Sequence, residues 1–438
     1  MSRAPQRLIV TADDIGLTQG NTDSILECVD AGVVTCVSML PNGDALTYAA
    51  KECASRGTRL VTAIHVNLTV GKPCAPTEEL PDLLSKEGTF RYSPFGLWMA
   101  FVFASNKKKE SLRVQVGREL SMQVETVRTA LAQHGISLVW ANGHQHVHMI
   151  PFVFDSLVRL EGLEHVRITN EPVFISPTSW TSYFHPRLAG VFVLGILSRR
   201  NKEAAKKLSR TFNDYFVGLL CSGKMTYEAT HIALATVLDY ADDRTQTTEV
   251  LFHPGSACTH EFFPWKESVL EQHWHFSPWR NRERELLKQT EMQEVFSRFT
   301  GGTLVSVWSE VLRIIRFGIS GSTSAAVAIL LLYVLTEWFG LWYMVSAFIA
   351  LSFSFVVSFV LQKYWTFANR RTITLPKQLA AFFVMNAFNI GLNALGLYLL
   401  VEYVHIWYVA AEFLVAAIIA LWTFGIMHFV IFPRRGER

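Results

Sequence analysis

The sequence predicts an α/β domain over residues 1–310, followed by an all-α domain of four transmembrane helices over residues 311–438. Three observations predict this fold class. Short apolar segments alternate with helical ones in the first part of the chain, a rhythm typical of parallel sheets and barrels. Long runs without charge follow, each able to cross a membrane as a helix. Half of the 438 residues are hydrophobic and 18% are charged, which is too apolar for a soluble protein of this length.

The α/β domain is predicted from strands and helices that alternate along the chain. In order, we expect a strand at 7–12, a helix at 21–32, strands at 34–40 and 58–68, a helix at 110–135 and a strand at 138–148. Both helices end at a glycine, Gly32 and Gly135, as helices commonly do. In such folds the active groups lie at the carboxyl ends of the strands.

The transmembrane domain is predicted from hydropathy. Its four spans cover about 314–336, 341–362, 378–401 and 407–432, and each matches the roughly 20 residues that a helix needs to cross a bilayer. Lys and Arg gather at both ends of the domain and between spans two and three. The positive-inside rule makes that side cytoplasmic.

The α/β domain is expected on the same side, because no signal peptide precedes it. We therefore expect a multi-pass protein of a bacterial-type inner membrane. The six cysteines form no CxxC pair, which favours reduced core thiols, with a disulfide framework as the alternative. A net charge of +3 does not suggest nucleic acid, and a homo-oligomer is left open.

Polar clusters lie where the predicted strands end. Asp13 and Asp14 follow the first strand, His65 lies late in another, and the run His144, His146 and His148 places its histidines at every second residue. In an extended segment such residues share a face. One Asp and two His are a common ligand set for a catalytic divalent ion, and a nearby carboxylate can act as general base. The alternative is that the histidines are polar core residues and the Asp pair forms a cap or turn.

Four motifs resemble a known family. The segments TADDIGLTQGNTDSILECVDAGVVTCVSMLPNG, AIHVNLTVGKP, NGHQHVHMIP and EVLFHPG are similar, in this order, to motifs of the YdjC-like (ChbG) carbohydrate deacetylases. The resemblance implies a distorted (β/α) barrel related in mechanism to the NodB-type enzymes. It also implies removal of acetyl groups from N-acetylated amino sugars.

The resemblance also implies roles for individual residues. The metal ligands would be Asp14, His65 and His144, and Asp13 the base. His253 would be the acid that protonates the departing amine, with His146 or His148 as the alternative. Other residues near the metal or substrate would be Asn142, Arg167, Glu171 and Glu249, although a surface salt bridge is an open alternative for Arg167 and Glu171. The ion would be Zn²⁺ by preference, with Mg²⁺ or another divalent ion as the alternative.

The last part of the chain resembles the GtrA-like membrane proteins, through RFGISG and the Tyr-Trp-Thr-Phe segment that ends at Phe367. The resemblance implies association with polyprenyl-linked sugars. We therefore expect deacetylation of an N-acetylhexosamine carried on a polyprenyl phosphate, with membrane lipids as further partners. Two alternatives are a deacetylase of soluble oligosaccharides that uses its helices as an anchor, and a lipid-sugar transporter or binding protein with an inactive barrel.

Two further patterns concern the membrane. The apolar runs 94–105 and 188–197 are each followed by a basic cluster, which favours helices lying at a membrane interface over buried core helices. In span three Asn386, Asn389 and Asn393 form one helical stripe. These asparagines either form hydrogen bonds between helices or line a groove for the lipid. The residues expected to pair with the lipid phosphate are Arg313, Arg316, Lys363 and Arg370.

Overall fold

The computed structural model describes residues 7–432, except 58–59, 175, 177–186, 241–245, 257–262, 266–267, 303, 305, 368 and 370–373. The chain divides into two compact units. The first contains residues 1–238 and 243–305, and the second contains residues 239–242 and 306–438.

A parallel sheet forms the centre of the first unit. Its strands are β1 (Arg7–Ile15), β2 (Cys36–Met39), β3 (Val61–Val66), β4 (Trp140–Gly143), β5 (His165–Val166), β6 (Tyr215–Val217) and β7 (Thr247–Phe252). Their order is β5-β4-β3-β2-β1-β7-β6, and every paired neighbour is parallel. The strands are nearly free of exposed residues, as expected for a parallel sheet covered by helices.

The edge strands β5 and β6 approach each other, so the sheet curls towards a barrel. His165 and Thr211 form an isolated parallel bridge. The side-chain amide of Asn213 accepts from the Ile168 backbone N–H at 2.8 Å and donates to the Ile168 carbonyl at 2.8 Å. A side chain thus replaces part of the missing backbone ladder. The predicted distorted (β/α) barrel is confirmed, with seven strands in the described part of the chain.

Ten helices are described in the first unit: α1 (Gln19–Asp30), α2 (Leu46–Ser55), α3 (Pro94–Val102), α4 (Asn106–Ala132), α5 (Pro151–Leu157), α6 (Arg187–Lys207), α7 (Tyr227–Tyr240), α8 (Val269–His275), α9 (Pro278–Leu287) and α10 (Thr290–Thr300). Several begin at side-chain caps that satisfy free N–H groups of the first turn. Thr18 Oγ1 accepts from the N–H of Asn21, and Ser105 Oγ accepts from the N–H of Lys108.

One predicted strand is wrong at its end. We expected an extended segment over 138–148, but β4 ends at Gly143 and residues His144–Met149 form a tight 3-10 turn. Gln145 and His146 have φ values of 49° and 57° within this turn. The chain therefore bends away from the sheet. His144, His146 and His148 do not share a face, contrary to the prediction.

The second unit consists of α11 (Val307–Tyr333), α12 (Tyr343–Val360), α13 (Leu375–Glu402) and α14 (Tyr408–Ile426). Three helical segments are long and apolar enough to cross a membrane: Glu310–Trp338, Tyr343–Thr366 and Leu375–Glu402. In the fourth predicted span, the described apolar stretch is shorter, Leu414–Ile426. All four predicted spans are thus helical, and the number of membrane crossings stays a prediction.

Apolar side chains lie on both the inside and the outside of this helical unit. Phe359, Phe382, Met385, Met427, Ile431 and Phe432 pack into a core. Phe348, Ile390 and Leu421 are each at least 74% exposed. Apolar side chains on the outer surface of a helical bundle suit a lipid environment.

Candidate metal and catalytic site

Asp14, His65 and His144 meet at the carboxyl ends of β1, β3 and β4. The Asp14 Oδ1 atom lies 3.5 Å from His65 Nε2 and 3.3 Å from His144 Nδ1. One donor atom from each residue lies within 4.8 Å of the other two, and all three residues are buried. These are the three residues that the resemblance to the YdjC-like motifs implied as ligands.

A bulge in β1 turns two consecutive aspartates towards the same cavity. Neighbouring residues of a regular strand point to opposite faces of the sheet. Here the β1–β2 register shifts between Ala12 and Ile15, and Asp14 has a φ of 72°. Aspartate is one of the few residues that tolerate this left-handed conformation. Asp13 and Asp14 therefore both line the cavity.

Asn142 holds His65 in position. Asn142 Nδ2 donates to Ser38 Oγ at 2.7 Å, and Asn142 Oδ1 lies 2.6 Å from His65 Nδ1. Because Oδ1 can only accept, the proton of the neutral His65 ring lies on Nδ1. The lone pair on Nε2 then points towards Asp14, which is the tautomer that a metal ligand needs. Asn142 thus orients the His65 ring.

Arg280 and Asn21 hold Asp14. Arg280 Nη1 donates to Asp14 Oδ2 at 3.2 Å, and its Nη2 donates to Asn21 Oδ1 at 2.9 Å. Asn21 in turn donates to the Asp14 carbonyl at 2.8 Å. A Cβ at Gly255 would lie 2.7 Å from Arg280 Nε, so this glycine is needed for the close approach. The sequence analysis missed Arg280, because it lies on α9 outside every recognised motif.

Arg167 lies in the interior and joins Asp13 to Glu249. Its Nη1 and Nη2 donate to the two carboxylate oxygens of Asp13 at 2.7 and 3.0 Å, and its Nε donates to Glu249 Oε1 at 2.9 Å. Arg167 is 1% exposed, so the surface salt bridge considered for it is wrong. Burial raises the pKa of Asp13, but the Arg167 guanidinium and His65 outweigh it and keep that pKa below its usual range.

Glu171 is also a buried structural group. Its carboxylate accepts from the backbone N–H groups of Gly218, Leu219 and Leu220, at 2.6 to 3.3 Å. Burial raises its pKa to about 7 against these hydrogen bonds. We expected Glu171 either to contact the substrate or to form a surface salt bridge. Both expectations are wrong, because its two carboxylate oxygens accept hydrogen bonds from the backbone that follows β6.

The three candidate acids lie in different surroundings. His253 directly follows β7 and lines the cavity, and its Nδ1 has no hydrogen-bond partner among the described residues. Burial lowers its pKa to about 4. His146 also lines the cavity. His148 is fully buried, with Nε2 at 3.1 Å from the Arg167 carbonyl, and does not line the cavity. His148 is therefore excluded as the alternative acid.

Glu271 on α8 is a carboxylate of the site that the sequence analysis missed. Its Oε1 accepts from Gln145 Nε2, and its Oε2 lies 3.5 Å from His144 Nε2. No motif marks it. Its helical segment, VLEQHWH, contains two histidines that would have drawn attention first.

The cavity itself has a volume of about 310 Å³. Asp13, Asp14, His65, His144, His146, His253 and Glu271 supply its polar wall, and Leu219, Leu251 and Trp274 supply apolar contacts. An aromatic and aliphatic wall opposite a few converging polar groups is typical of a small-molecule site.

The chemistry of these residues fits a divalent cation. Asp14 Oδ1, which faces both histidines, has no hydrogen-bond partner among the described residues. Burial lowers the pKa of His144, yet the carboxylates of Glu271 and Asp14 raise it to about 10. The site therefore stabilises positive charge between these groups, which a bound metal ion would supply.

Comparison with known proteins finds two families along the chain. Residues 7–298 match the family described as YdjC-like protein. The chain belongs to the YdjC-like family. Residues 316–432 of this YdjC-like chain match a second family, the GtrA/DPMS transmembrane domain. The two matches follow each other without overlap, as the motifs predicted.

Relatives of this YdjC-like chain include named deacetylases. A carbohydrate deacetylase of Homo sapiens is 35% identical, over 58% of this chain and 76% of the relative. A chitooligosaccharide deacetylase of Citrobacter koseri is 32% identical, over 34% of this chain and 52% of the relative. A solved structure from Enterococcus faecalis V583 is 19% identical to this chain, with a TM-score of 0.47, and the match covers 70% of this chain and 99% of the other.

In the membrane unit of this YdjC-like chain, the cations expected to bind a lipid phosphate are buried. Arg313 pairs with Glu310 at 2.8 Å and with Asp239 at 3.0 Å. The Arg316 guanidinium lies over the Tyr240 ring. Lys363 is fully buried and donates to Asn369 and Gln378. Protein groups thus already engage these three cations, while Arg370 lies outside the described residues.

The asparagine stripe on α13 is half-buried. Asn389 donates to Thr423 Oγ1 on α14 at 2.9 Å, which is a hydrogen bond between helices. Asn386 donates to the Phe382 carbonyl of its own helix. The bond from Asn389 supports the packing alternative at that position.

Proposed function

We propose that this chain is a metal-dependent hydrolase that removes the N-acetyl group from an N-acetylhexosamine carried on a polyprenyl phosphate. One observation carries the proposal. A ligand set of Asp14, His65 and His144 lies in one cavity with a second carboxylate, Asp13, and with a buried imidazole, His253. The deacetylase relatives support the same reaction class.

Asp14, His65 and His144 would hold the ion, with Zn²⁺ favoured over Mg²⁺ because two of the three ligands are imidazoles. When bound, the ion would polarise the acetyl carbonyl and lower the pKa of a water molecule. Arg280 and Asn142 act on the ligands rather than on the substrate, because they orient Asp14 and His65.

Asp13 would take a proton from the attacking water. The Arg167 guanidinium keeps Asp13 ionised, so the base is in the correct protonation state at neutral pH. The water oxygen forms a bond to the acetyl carbon, the C–N bond breaks, and the products are acetate and the amine.

His253 would deliver a proton to the departing nitrogen. Its pKa of about 4, lowered by burial, makes the imidazole neutral before the reaction. The neutral imidazole must therefore take up a proton during turnover before it can donate one. The attacking water supplies two protons: one goes to Asp13 during attack, the other is released as acetate forms, and His253 would carry one of them to the departing nitrogen. His146, which also lines the cavity, is the alternative donor.

The lipid part of the proposal is supported by the fusion to a transmembrane domain. One helix would suffice to anchor a soluble enzyme, whereas this chain has several apolar helices. The distribution of Lys and Arg around the spans supports a catalytic domain at the cytoplasmic face of a bacterial-type inner membrane.

The assignment is tested by metal content and acetate release of the purified full-length chain. Asp13→Asn should keep the metal and lose about 10²- to 10⁴-fold in turnover, because only the base is removed. His65→Ala and His144→Ala should lose the metal as well. His231→Ala is the matched control, since His231 stacks on Tyr227 and does not line the cavity. Full metal occupancy in both ligand variants would contradict the assignment.

A further inference from the structure

Large apolar side chains protrude from α3 and α6 of the first unit. Phe95 at the start of α3 is 67% exposed and Phe103, which caps its end, is 82% exposed. On α6, Phe192 and Ile196 are 58% and 72% exposed. Single exposed apolar residues are common in proteins, but several large ones on two helices that pack against the same element indicate an interaction surface. We call these four residues the apolar patch.

Helix periodicity explains why α6 presents this patch outwards. Its packed face contains Val191, Ser198 and Asn201, at intervals of seven and three residues. Ser198 donates to the Thr169 carbonyl, and Asn201 donates to the Met149 carbonyl at 2.9 Å. Phe192 and Ile196 lie on the opposite side of the helix. Burying them would require a further partner.

Both helices pack against α5, which follows the turn that carries His144. Phe101 of α3 stacks on Phe152 of α5 with ring centroids 4.0 Å apart. Arg200 of α6 donates to the Pro151 carbonyl and pairs with Asp155. The two parts of the apolar patch are therefore supported by the same element, and that element is continuous with the metal-ligand turn.

Five basic side chains on the helices that carry the apolar patch, or next to them, make no close polar contact among the described residues. The side chains of Lys107, Lys109, Arg159, Arg199 and Lys207 make no ion pair or hydrogen bond within the part of the chain that the structure describes. Arg159 and Lys207 also line a cavity of about 420 Å³ between α5 and α6, together with Arg200, Asp155 and Glu203. Cations at this density attract anionic groups.

We propose that the apolar patch and these cations form a surface that docks on an anionic lipid bilayer. The same chain carries helices suited to cross a membrane, so a bilayer is always within reach. The apolar runs of α3 and α6 are too short to span it and suit insertion at the headgroup level. Docking of a second copy through the same patch would bring like-charged clusters together, whereas anionic headgroups complement them. This inference does not depend on the proposed reaction.

Spin labels on the full-length chain in lipid nanodiscs test the proposal. Labels at Phe103→Cys and Phe192→Cys should be accessible to oxygen, which concentrates in lipid, and protected from a water-soluble nickel chelate. A label at Lys51→Cys, on the exposed face of α2, is the matched control and should show the reverse. Unsubstituted protein gives the labelling background of the native cysteines. Nickel accessibility at positions 103 and 192 equal to that at 51 would overturn the proposal.

Two further measurements distinguish docking on a bilayer from docking on a second copy of the chain. Arg199→Glu should reduce the oxygen accessibility at position 192 several-fold in anionic nanodiscs, whereas Lys51→Glu should leave it unchanged. If both variants changed the oxygen accessibility at position 192 equally, the cations would have no role in docking and the proposal would be overturned. Protection of the labels from both oxygen and nickel, with spin–spin coupling that depends on protein concentration, would indicate a second copy and would also overturn the proposal.

Discussion

Asp13 and Asp14 are adjacent in the chain, but the fold surrounds them with different partners. Both oxygens of Asp13 accept from Arg167, whereas Asp14 Oδ1 faces two histidines and has no hydrogen-bond partner among the described residues. Asp14 has a free oxygen lone pair, which suits a metal ligand. Asp13 is kept ionised by Arg167, which suits a general base. The division of roles between the two aspartates follows from these contacts.

At the same scale, Glu271 is expected to tune the metal site through His144. Glu271→Gln keeps the size of the side chain and removes the charge that faces His144 Nε2 at 3.5 Å. Loss of such a carboxylate partner typically lowers metal affinity by about 10- to 100-fold. Competition with a chelator would measure the affinity.

Glu294→Gln, an exposed position on α10, is the matched control for Glu271→Gln. If both variants bind the metal as tightly as the unsubstituted chain, Glu271 has no such role. A loss of secondary structure in Glu271→Gln would instead indicate a packing role, and circular dichroism separates the two outcomes.

At the scale of elements, the closure between β5 and β6 determines whether the sheet curls into a barrel. Among the described residues, this closure includes the bridge between His165 and Thr211, the side-chain amide of Asn213 and a backbone hydrogen bond from Phe216 of β6 to the Asn170 carbonyl. His165 also stacks on Trp140 of β4 with ring centroids 4.0 Å apart. Its Nδ1 lies 3.0 Å from Thr211 Oγ1, and its Nε2 has no hydrogen-bond partner among the described residues.

The closure is expected to weaken in acid. Burial, assisted by Arg167, lowers the pKa of His165 from 6.5 to about 4. The folded state therefore binds this proton less readily than the unfolded state, so the stability present above pH 6.5 is lost as the pH falls towards 4. The loss is at most about 3 kcal/mol, from a shift of about 2.5 pKa units.

His165→Phe keeps the stacking on Trp140 and removes the titration. Thermal unfolding in detergent at pH 7.5 and pH 5 should show a smaller acid-induced decrease in Tm for this variant than for the unsubstituted chain. His231→Phe, at a half-buried position on α7, is the control. Equal decreases for the unsubstituted chain and His165→Phe would contradict the assignment.

At the scale of the whole molecule, the chain joins a deacetylase-family barrel to a transmembrane helical unit. The proposed lipid-linked substrate would explain why the two units are joined, because one polypeptide would then bind both the sugar and its lipid. If the α13 stripe lines a lipid groove, the triple variant Asn386→Leu, Asn389→Leu and Asn393→Leu should lower acetate release from a polyprenyl-phosphate N-acetylhexosamine. Release from a water-soluble acetylated analogue should be spared.

Equal losses on both substrates would instead indicate general destabilisation, in agreement with the bond from Asn389 to Thr423 between helices. Ser352→Leu is the matched control, because Ser352 is exposed on α12 and bonds only within its own helix at Phe348. If the triple variant released acetate from both substrates at the unsubstituted rate, the asparagine stripe would not line a lipid groove.

The sequence by itself determined the fold class, the helical character of the four apolar spans and the choice of Asp14, His65 and His144. The fold class and the helical spans follow from local patterns, namely hydrophobic periodicity and uncharged runs. The three ligands were chosen from the polar residues at strand ends through the resemblance to the YdjC-like motifs. It failed at His144–Met149, where two left-handed residues end the strand early. An alternating pattern contains no signal for that turn.

Only the tertiary structure decided which groups surround the ligands. Arg280 is 266 residues from Asp14, Glu271 is 127 residues from His144, and Arg167 is 154 residues from Asp13. No local pattern links residues so far apart, because their meeting depends on how α8, α9 and β5 pack around the barrel. The sequence placed Arg167 and Glu171 at a substrate or at the surface, but the closing of the barrel buried both. Polar residues near a predicted site look alike in sequence, and burial and hydrogen-bond partners are what assign them to structure or to chemistry.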